Sequence, residues 1–210
     1  MTFTGIPLAA LDFYEDLEVD NSKTFWSTHQ QVYEDQVKAP LLALAGALEA
    51  EFGPAKYFRP YRDVRFSKDK SPYKLQQGLW FGQSARYVHV SAAGLFVAGG
   101  YWRMSSDQIG RLRRAIDDDI PGTALEQAVA ALRRSKLEVS GERLTRVPAG
   151  FDKDHPRADL LRHKSLTAGR EFGAPPWLAT NKAQTEIVRA WRAMAPLVTW
   201  LQDNVGSDAE

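Results

Sequence analysis

In the stretch NSKTFWSTHQQVYEDQV, which begins at Asn21, apolar positions recur at the three-to-four spacing of an amphipathic helix. Phe25, His29, Val32 or Tyr33, and Gln36 or Val37 share one face. Pro40 lacks an amide proton and crowds the preceding turn, so it is expected to kink this helix or start a new one. Beyond it Leu41, Leu44, Leu48 and Phe52 keep the spacing until Gly53-Pro54 ends the run. From Lys56 to about Met104 the period changes. GLWFGQ, RYVHVSA and GLFVAGGYW are short, rich in aromatic and β-branched residues and separated by small residues, which predicts successive antiparallel strands.

Helical spacing then returns. Ser105-Ser106 followed by Gln108 is a helix start, with Ile109, Leu112 and Ile116 as its buried stripe. Pro121-Gly122 is expected to break that helix, and ALEQAVAALRRSK supplies another. LEVSG returns to the sheet, RLTRVPAGF is strand or loop, Pro156 opens a short helix through Leu161, and LTAGREFG adds a last strand. Asn181 opens a terminal helix with Ile187, Trp191, Met194, Val198 and Leu201 on one face, bent at Pro196. Helices, then strands, then mixed elements predict an α+β fold, an antiparallel sheet from the middle of the chain covered by N-terminal and C-terminal helices; the regular βαβ alternation of a parallel sheet is missing. With no repeat and no long linker, residues 1–210 are read as a single domain.

Composition narrows the function classes. Cysteine is absent, which excludes disulfides, thiolate nucleophiles, iron–sulfur clusters and cysteine-type zinc sites. No apolar run approaches the roughly 20 residues of a membrane span, and the N-terminus is acidic where a signal peptide is basic. The expectation is a cytoplasmic protein without a membrane partner. The net charge of +1 supplies no global field toward nucleic acid. It hides a local excess: Lys56 to Lys74 carries seven cations against Asp63 and Asp69, so this segment is +5 and the rest of the chain is −4.

Within that segment, YFRPYRDVRFS in extended form places Arg59, Tyr61, Asp63 and Arg65 on one face and Phe58, Pro60, Arg62, Val64 and Phe66 on the other. Arg62 then needs a carboxylate or carbonyls. Arg59 and Arg65 flank Asp63, able to pin it or to join it in meeting a ligand. Pro60 restricts the strand to an edge, a bulge or a start. SKDKSPYK is a loop with Lys68, Lys70 and Lys74 projecting beside the arginines, a mixture of planar forks and ammonium groups suited to phosphate or carboxylate. The candidate ligand-binding residues are Arg59, Arg62, Arg65, Lys68, Lys70 and Tyr73. For chemistry, residue type alone offers Asp63 or Asp69 as base and Lys70 or Tyr73 as acid. The alternatives are a surface for nucleic acid or an acidic partner protein, ranked below a small anionic ligand, and a purely structural role locking strand edge to loop.

GFDKDHPRADLLRHK gathers Asp152, Asp154, His155, Asp159 and His163. The two histidines are eight apart, without the i, i+4 pairing of a helical zinc motif, so no metal is assigned; His155 is a catalytic candidate, ranked below a role for Asp154 and His155 in ordering the loop before Pro156. His29 is expected to be a core histidine. Asp117 to Asp119 form a solvated helix stop. No nucleophile elbow, phosphate loop or dinucleotide fingerprint is present. No cofactor, reaction or oligomeric state follows.

The residues Arg59, Arg62, Asp63, Arg65, Phe66, Asp69, Lys70 and Tyr73 form the pattern R-x-x-R-D-x-R-F-x-x-D-K-x-x-Y, which resembles the signature of the DUF2461 family, bacterial proteins of about this length. FYEDLEVDNSKTFWSTHQQVY and RVPAGFDKDHPRADLLRHKSL resemble that family's N-terminal helix region and its later segment, so the resemblance covers most of the chain. It implies where a site lies and no established activity.

Overall fold

The computed structural model describes residues 2–206. Helices α1 (Ala9–Val19), α2 (Lys23–Val32) and α3 (Ala39–Phe52) precede strands β1 (Ala55–Tyr57), β2 (Gln76–Phe81), β3 (Arg86–Ser91) and β4 (Gly94–Tyr101). There follow α4 (Ser106–Asp117), α5 (Asp119–Arg134), β5 (Glu138–Ser140), α6 (Ala158–Leu161), β6 (Leu166–Gly173), α7 (Lys182–Ala193) and α8 (Ala195–Asn204). The strands form a six-stranded antiparallel sheet in the order β1-β2-β3-β4-β6-β5, and the fold is α+β. The chain divides into two compact units, Met1–Val97 with Glu171–Arg189, and Ala98–Arg170 with Ala190–Glu210.

In the first unit, α1 packs on β3 and α3 on β1 and β2. The core residues are those that the two periods select: Leu41, Leu44, Leu48 and Phe52 from α3, Leu79 and Phe81 from β2, and Val88 and Val90 from β3, all buried. A π-helical segment, Tyr33–Lys38, joins α2 to α3. It is the physical answer to Pro40: the amide of Ala39 reaches back five residues to the Glu34 carbonyl, and Pro40 falls in the first turn of α3, where its missing N–H costs little. His29 lies outside the core. It is half-buried and stacks on Phe25 at 4.0 Å, with Nδ1 2.9 Å from the Phe25 carbonyl oxygen.

In the second unit, α4 opens with a complete capping box: the Ser105 hydroxyl accepts from the Gln108 amide and the Gln108 side chain accepts from the Ser105 amide. Leu112 and Ile116 are buried as expected, while Ile109 is half-buried. Pro121-Gly122 does not break the helix. The break is at Asp118, whose carboxylate caps α5 by accepting from the Ile120 amide, and Pro121 sits in the first turn of α5, where its amide proton is dispensable. Asp118 and Asp119 therefore face the positive end of a new helix dipole, not only the negative end of the old one. The apolar stripe of the C-terminal helix is buried as predicted. Its chain is interrupted at Met194, and Pro196 falls in the first turn of α8.

Candidate functional site

The basic segment is a hairpin inserted between β1 and β2 in the first unit. The Arg62 amide donates to the Pro72 carbonyl and the Lys74 amide to the Pro60 carbonyl, both at 2.8 Å, and Tyr61 pairs with Tyr73 across the arms. Each proline accepts without having to donate, which is why the arms tolerate them. The two-residue period holds along the first arm: Arg59, Tyr61, Asp63 and Arg65 are exposed, while Phe58, Pro60, Arg62 and Val64 are half-buried. Phe66 departs from it. A turn begins at Arg65, the alternation ends, and Phe66 is 97% exposed at the tip rather than on the buried face.

At the tip, charges close on one another. Arg65 grips Asp63 with two parallel bonds, Nε to Oδ1 at 2.9 Å and Nη2 to Oδ2 at 2.7 Å. Arg62 pairs with Asp69 across the loop, and Asp69 also accepts from the Ser71 hydroxyl and amide. The Ser71 hydroxyl and the Arg62 guanidinium hold the Asp69 carboxyl well below the usual range, and Arg65 does the same for Asp63. Both carboxylates are thus ionised and occupied at neutral pH, far from the poised state of a general base. Lys70 donates to the Val64 carbonyl at 3.0 Å. Lys68 is exposed, with no partner among the described residues.

The hairpin base is anchored in the core. Tyr73 is 5% exposed and lies flat on Trp26, with ring centroids 4.1 Å apart and planes within 7°. Asn21 clamps its backbone from both sides, accepting from the Tyr73 amide and donating to the Tyr73 carbonyl, each at 3.1 Å. Buried Gln77 donates to the Phe58 carbonyl at 2.5 Å and accepts from the Tyr33 hydroxyl at 2.8 Å, and Tyr57 closes the network on Tyr33. Burial raises Tyr33 to about 12, so these hydroxyls stay neutral donors.

Three cations at this base have no carboxylate in ion-pair contact among the described residues: Lys56, Arg59, whose charge nonetheless reaches Asp63, and Lys74. The ammonium groups of Lys56 and Lys74 lie 5.9 and 5.5 Å from the centre of the Phe58 ring, and Lys74 also donates to the Arg59 carbonyl. Burial, and then the like charge of Arg59, lower the Lys74 pKa. The sequence pattern placed Lys74 among the loop ammonium groups and counted Lys56 only in the basic excess, and neither was among the candidate ligand-binding residues. The i, i+2 spacing of Lys56 and Phe58 at the end of a strand was the available signal.

Beside this base, Phe58, just past β1, and side chains of β3 and β4 make an aromatic row. Phe58 to Tyr87, Tyr87 to His89 and His89 to Phe96 are 6.4, 5.5 and 4.9 Å between ring centroids, and all four residues are half-buried. Tyr87 can lie across the strand because residue 78 is glycine: a Cβ there would meet the Tyr87 hydroxyl at 2.6 Å. Nδ1 of His89 is enclosed with no hydrogen-bond partner, so protonation would bury an unpaired N–H, and burial lowers the pKa from 6.5 to about 4. Below 6.5 the unfolded chain takes up a proton that the folded chain refuses. The stabilisation is therefore complete above the unfolded value and is lost as the pH falls toward 4, by up to about 3 kcal/mol. Burial lowers His163 as well, with the same sign. Urea unfolding at about pH 7 and about pH 4.5 should show a loss of stability that shrinks in His89→Phe; an equal loss in both proteins would refute this assignment.

The Asp152 to His163 segment belongs to the second unit. Asp152 orders its own loop by accepting from the Asp154 amide, and His155 Nδ1 accepts from the Arg157 amide at 2.9 Å, leaving Nε2 3.3 Å from Asp117. Arg157, 6% exposed, donates to the carbonyls of Ile116 and Asp117 and to the Asp119 carboxylate. The segment thus clasps the corner between α4 and α5. Asp159 pairs with Arg162, and His163 is buried, donating to the Ser165 carbonyl. Among the described residues no group of three or more His, Asp or Glu is placed to hold a metal ion.

A family model described as "Conserved hypothetical protein (DUF2461)" matches residues 9–200. No curated protein and no solved structure gives a significant match. The match spans both compact units and most of the sequence, and the chain belongs to the DUF2461 family.

Proposed function

We propose that the protein binds a small molecule bearing a phosphate or carboxylate group at the base of the hairpin, through Lys56, Arg59 and Lys74. One observation carries this reading: Lys56 and Lys74 meet at the Phe58 ring with no carboxylate in ion-pair contact and the like charge of Arg59 reaches Lys74, whereas Arg62 and Arg65 at the tip each grip an aspartate. Uncompensated like charges cost free energy that an anion recovers on binding. The tip pairs give the hairpin a defined shape, so a structural role for Arg62 and Arg65 and a ligand role for the base fit one arrangement. Expected residence in the cytoplasm accords with this; no helix among the described residues is long and apolar enough to cross a membrane.

The experiment is a thermal-shift titration with inorganic phosphate and citrate. Arg59→Gln and Lys56→Gln, which break no hydrogen bond of the hairpin, are each expected to weaken a stabilisation that Arg65→Ala retains. Absence of any shift in the wild type, or a shift unchanged in both base variants, would refute the site. The alternative of a nucleic-acid or acidic-protein surface predicts affinity for a short oligonucleotide or acidic peptide that falls steeply with salt.

A further inference from the structure

The aromatic row next to the three cations has no part in anion binding as such. Cross-strand aromatic pairs commonly stabilise antiparallel sheets, and a purely structural row needs no charge beside it. Here Phe58 belongs to both features: its ring begins the row and is flanked by the ammonium groups of Lys56 and Lys74. The register fixes the rest. Lys56 stands opposite Trp80, Trp80 opposite Tyr87, and Gly78 opposite His89, so cation and rings share one face of the sheet. All of these residues lie in the first unit. The rings remain partly accessible, and the space that a side chain at Gly78 would fill is taken by the Tyr87 ring.

We infer that this face is a platform for the planar ring of a ligand whose anionic group is held by Lys56, Arg59 and Lys74: the site takes a mononucleotide-like molecule, an aromatic ring joined to a phosphate. The inference rests on the anion site proposed above and specifies its substrate class. His89 and Phe96 lie within 31° of one plane while Tyr87 stands at 60° to both, so a planar ring stacks on one of these faces and meets the edge of the next, without needing a unique hydrogen-bond pattern, and the phosphate falls at the Phe58 end, where the cations are. Neutral His89 presents an apolar face to the ring, since its enclosed Nδ1 has no acceptor to support a second proton. The small size of the cationic patch favours a single phosphate over the long track of a polynucleotide backbone.

The test compares adenosine 5′-monophosphate, inorganic phosphate and an oligoadenylate by calorimetry on wild type, Phe96→Leu and Lys56→Gln. The monophosphate should bind wild type roughly tenfold or more tighter than phosphate, as one stacked base implies. Phe96→Leu should lose that advantage and keep phosphate binding; Lys56→Gln should weaken both. In parallel, the His89 imidazole resonances of the unmutated protein should shift with the monophosphate and stay still with phosphate, a readout that does not depend on any variant folding. Equal binding of monophosphate and phosphate overturns the platform while leaving the anion site intact, and no binding of either overturns both. Oligonucleotide affinity that grows with length beyond the monophosphate overturns the small-ligand reading in favour of single-stranded nucleic acid.

Discussion

Tyr73→Ala is expected to lower the unfolding free energy by about 3–5 kcal/mol, the range for deleting a buried aromatic side chain and leaving a cavity. The ring has one flat neighbour, Trp26, and a second, Tyr61, at 5.4 Å, so no small movement fills the space it leaves. Tyr73→Phe keeps the stack and should stay within about 1 kcal/mol of wild type. Urea unfolding of the two variants distinguishes an anchor from an acid. If Tyr73→Phe removes ligand binding while Tyr73→Ala barely alters stability, the hydroxyl, and not the ring, is what matters at this position. The expected result also ties site to core: with the hairpin base loosened, the relative placement of Lys56, Arg59 and Lys74 should be lost together with stability.

Arg157→Ala is expected to cost about 2–4 kcal/mol in the second unit, for a different reason. Asp119, its charged partner, is exposed and can return to water at little loss. The carbonyls of Ile116 and Asp117 differ: they are the end of α4, and the guanidinium satisfies them from within the fold. Gly122 records how close that contact is, since a Cβ there would lie 2.5 Å from Arg157 Nε and 2.4 Å from the Ile116 carbonyl oxygen. Arg157→Lys should fail to rescue, because one ammonium cannot span the two carbonyls and Asp119 as a planar fork does. Equilibrium denaturation checks both variants, and losses under about 1 kcal/mol would mean that water replaces the guanidinium at this corner.

The two arginine segments show how far a one-dimensional pattern reaches. Alternation correctly separated the faces of the hairpin from Phe58 to Val64, because a chain in extended conformation has a period of two whatever surrounds it. It failed at Phe66, where the turn begins and the period stops. The need of Arg62 for a partner was evident from its half-buried face; that the partner is Asp69, seven residues on, depends on how the loop closes. Gly122 looked like a helix breaker because glycine weakens helices. It is tolerated inside α5 because the space of the missing side chain is occupied by an arginine 35 positions later.

By itself the sequence determined the element types, the buried stripes, the α+β class and the location of the charge excess, since each is written in local periodicity and residue chemistry. Only the tertiary structure decided which of the seven cations are neutralised. Arg62 and Arg65 meet aspartates within the loop, while Lys56 and Lys74, 18 residues apart in sequence, meet at one aromatic ring. Pairing in sequence counts charges, but Coulomb interactions depend on distance in space, and that distance is set by how β1, β2 and the hairpin between them close.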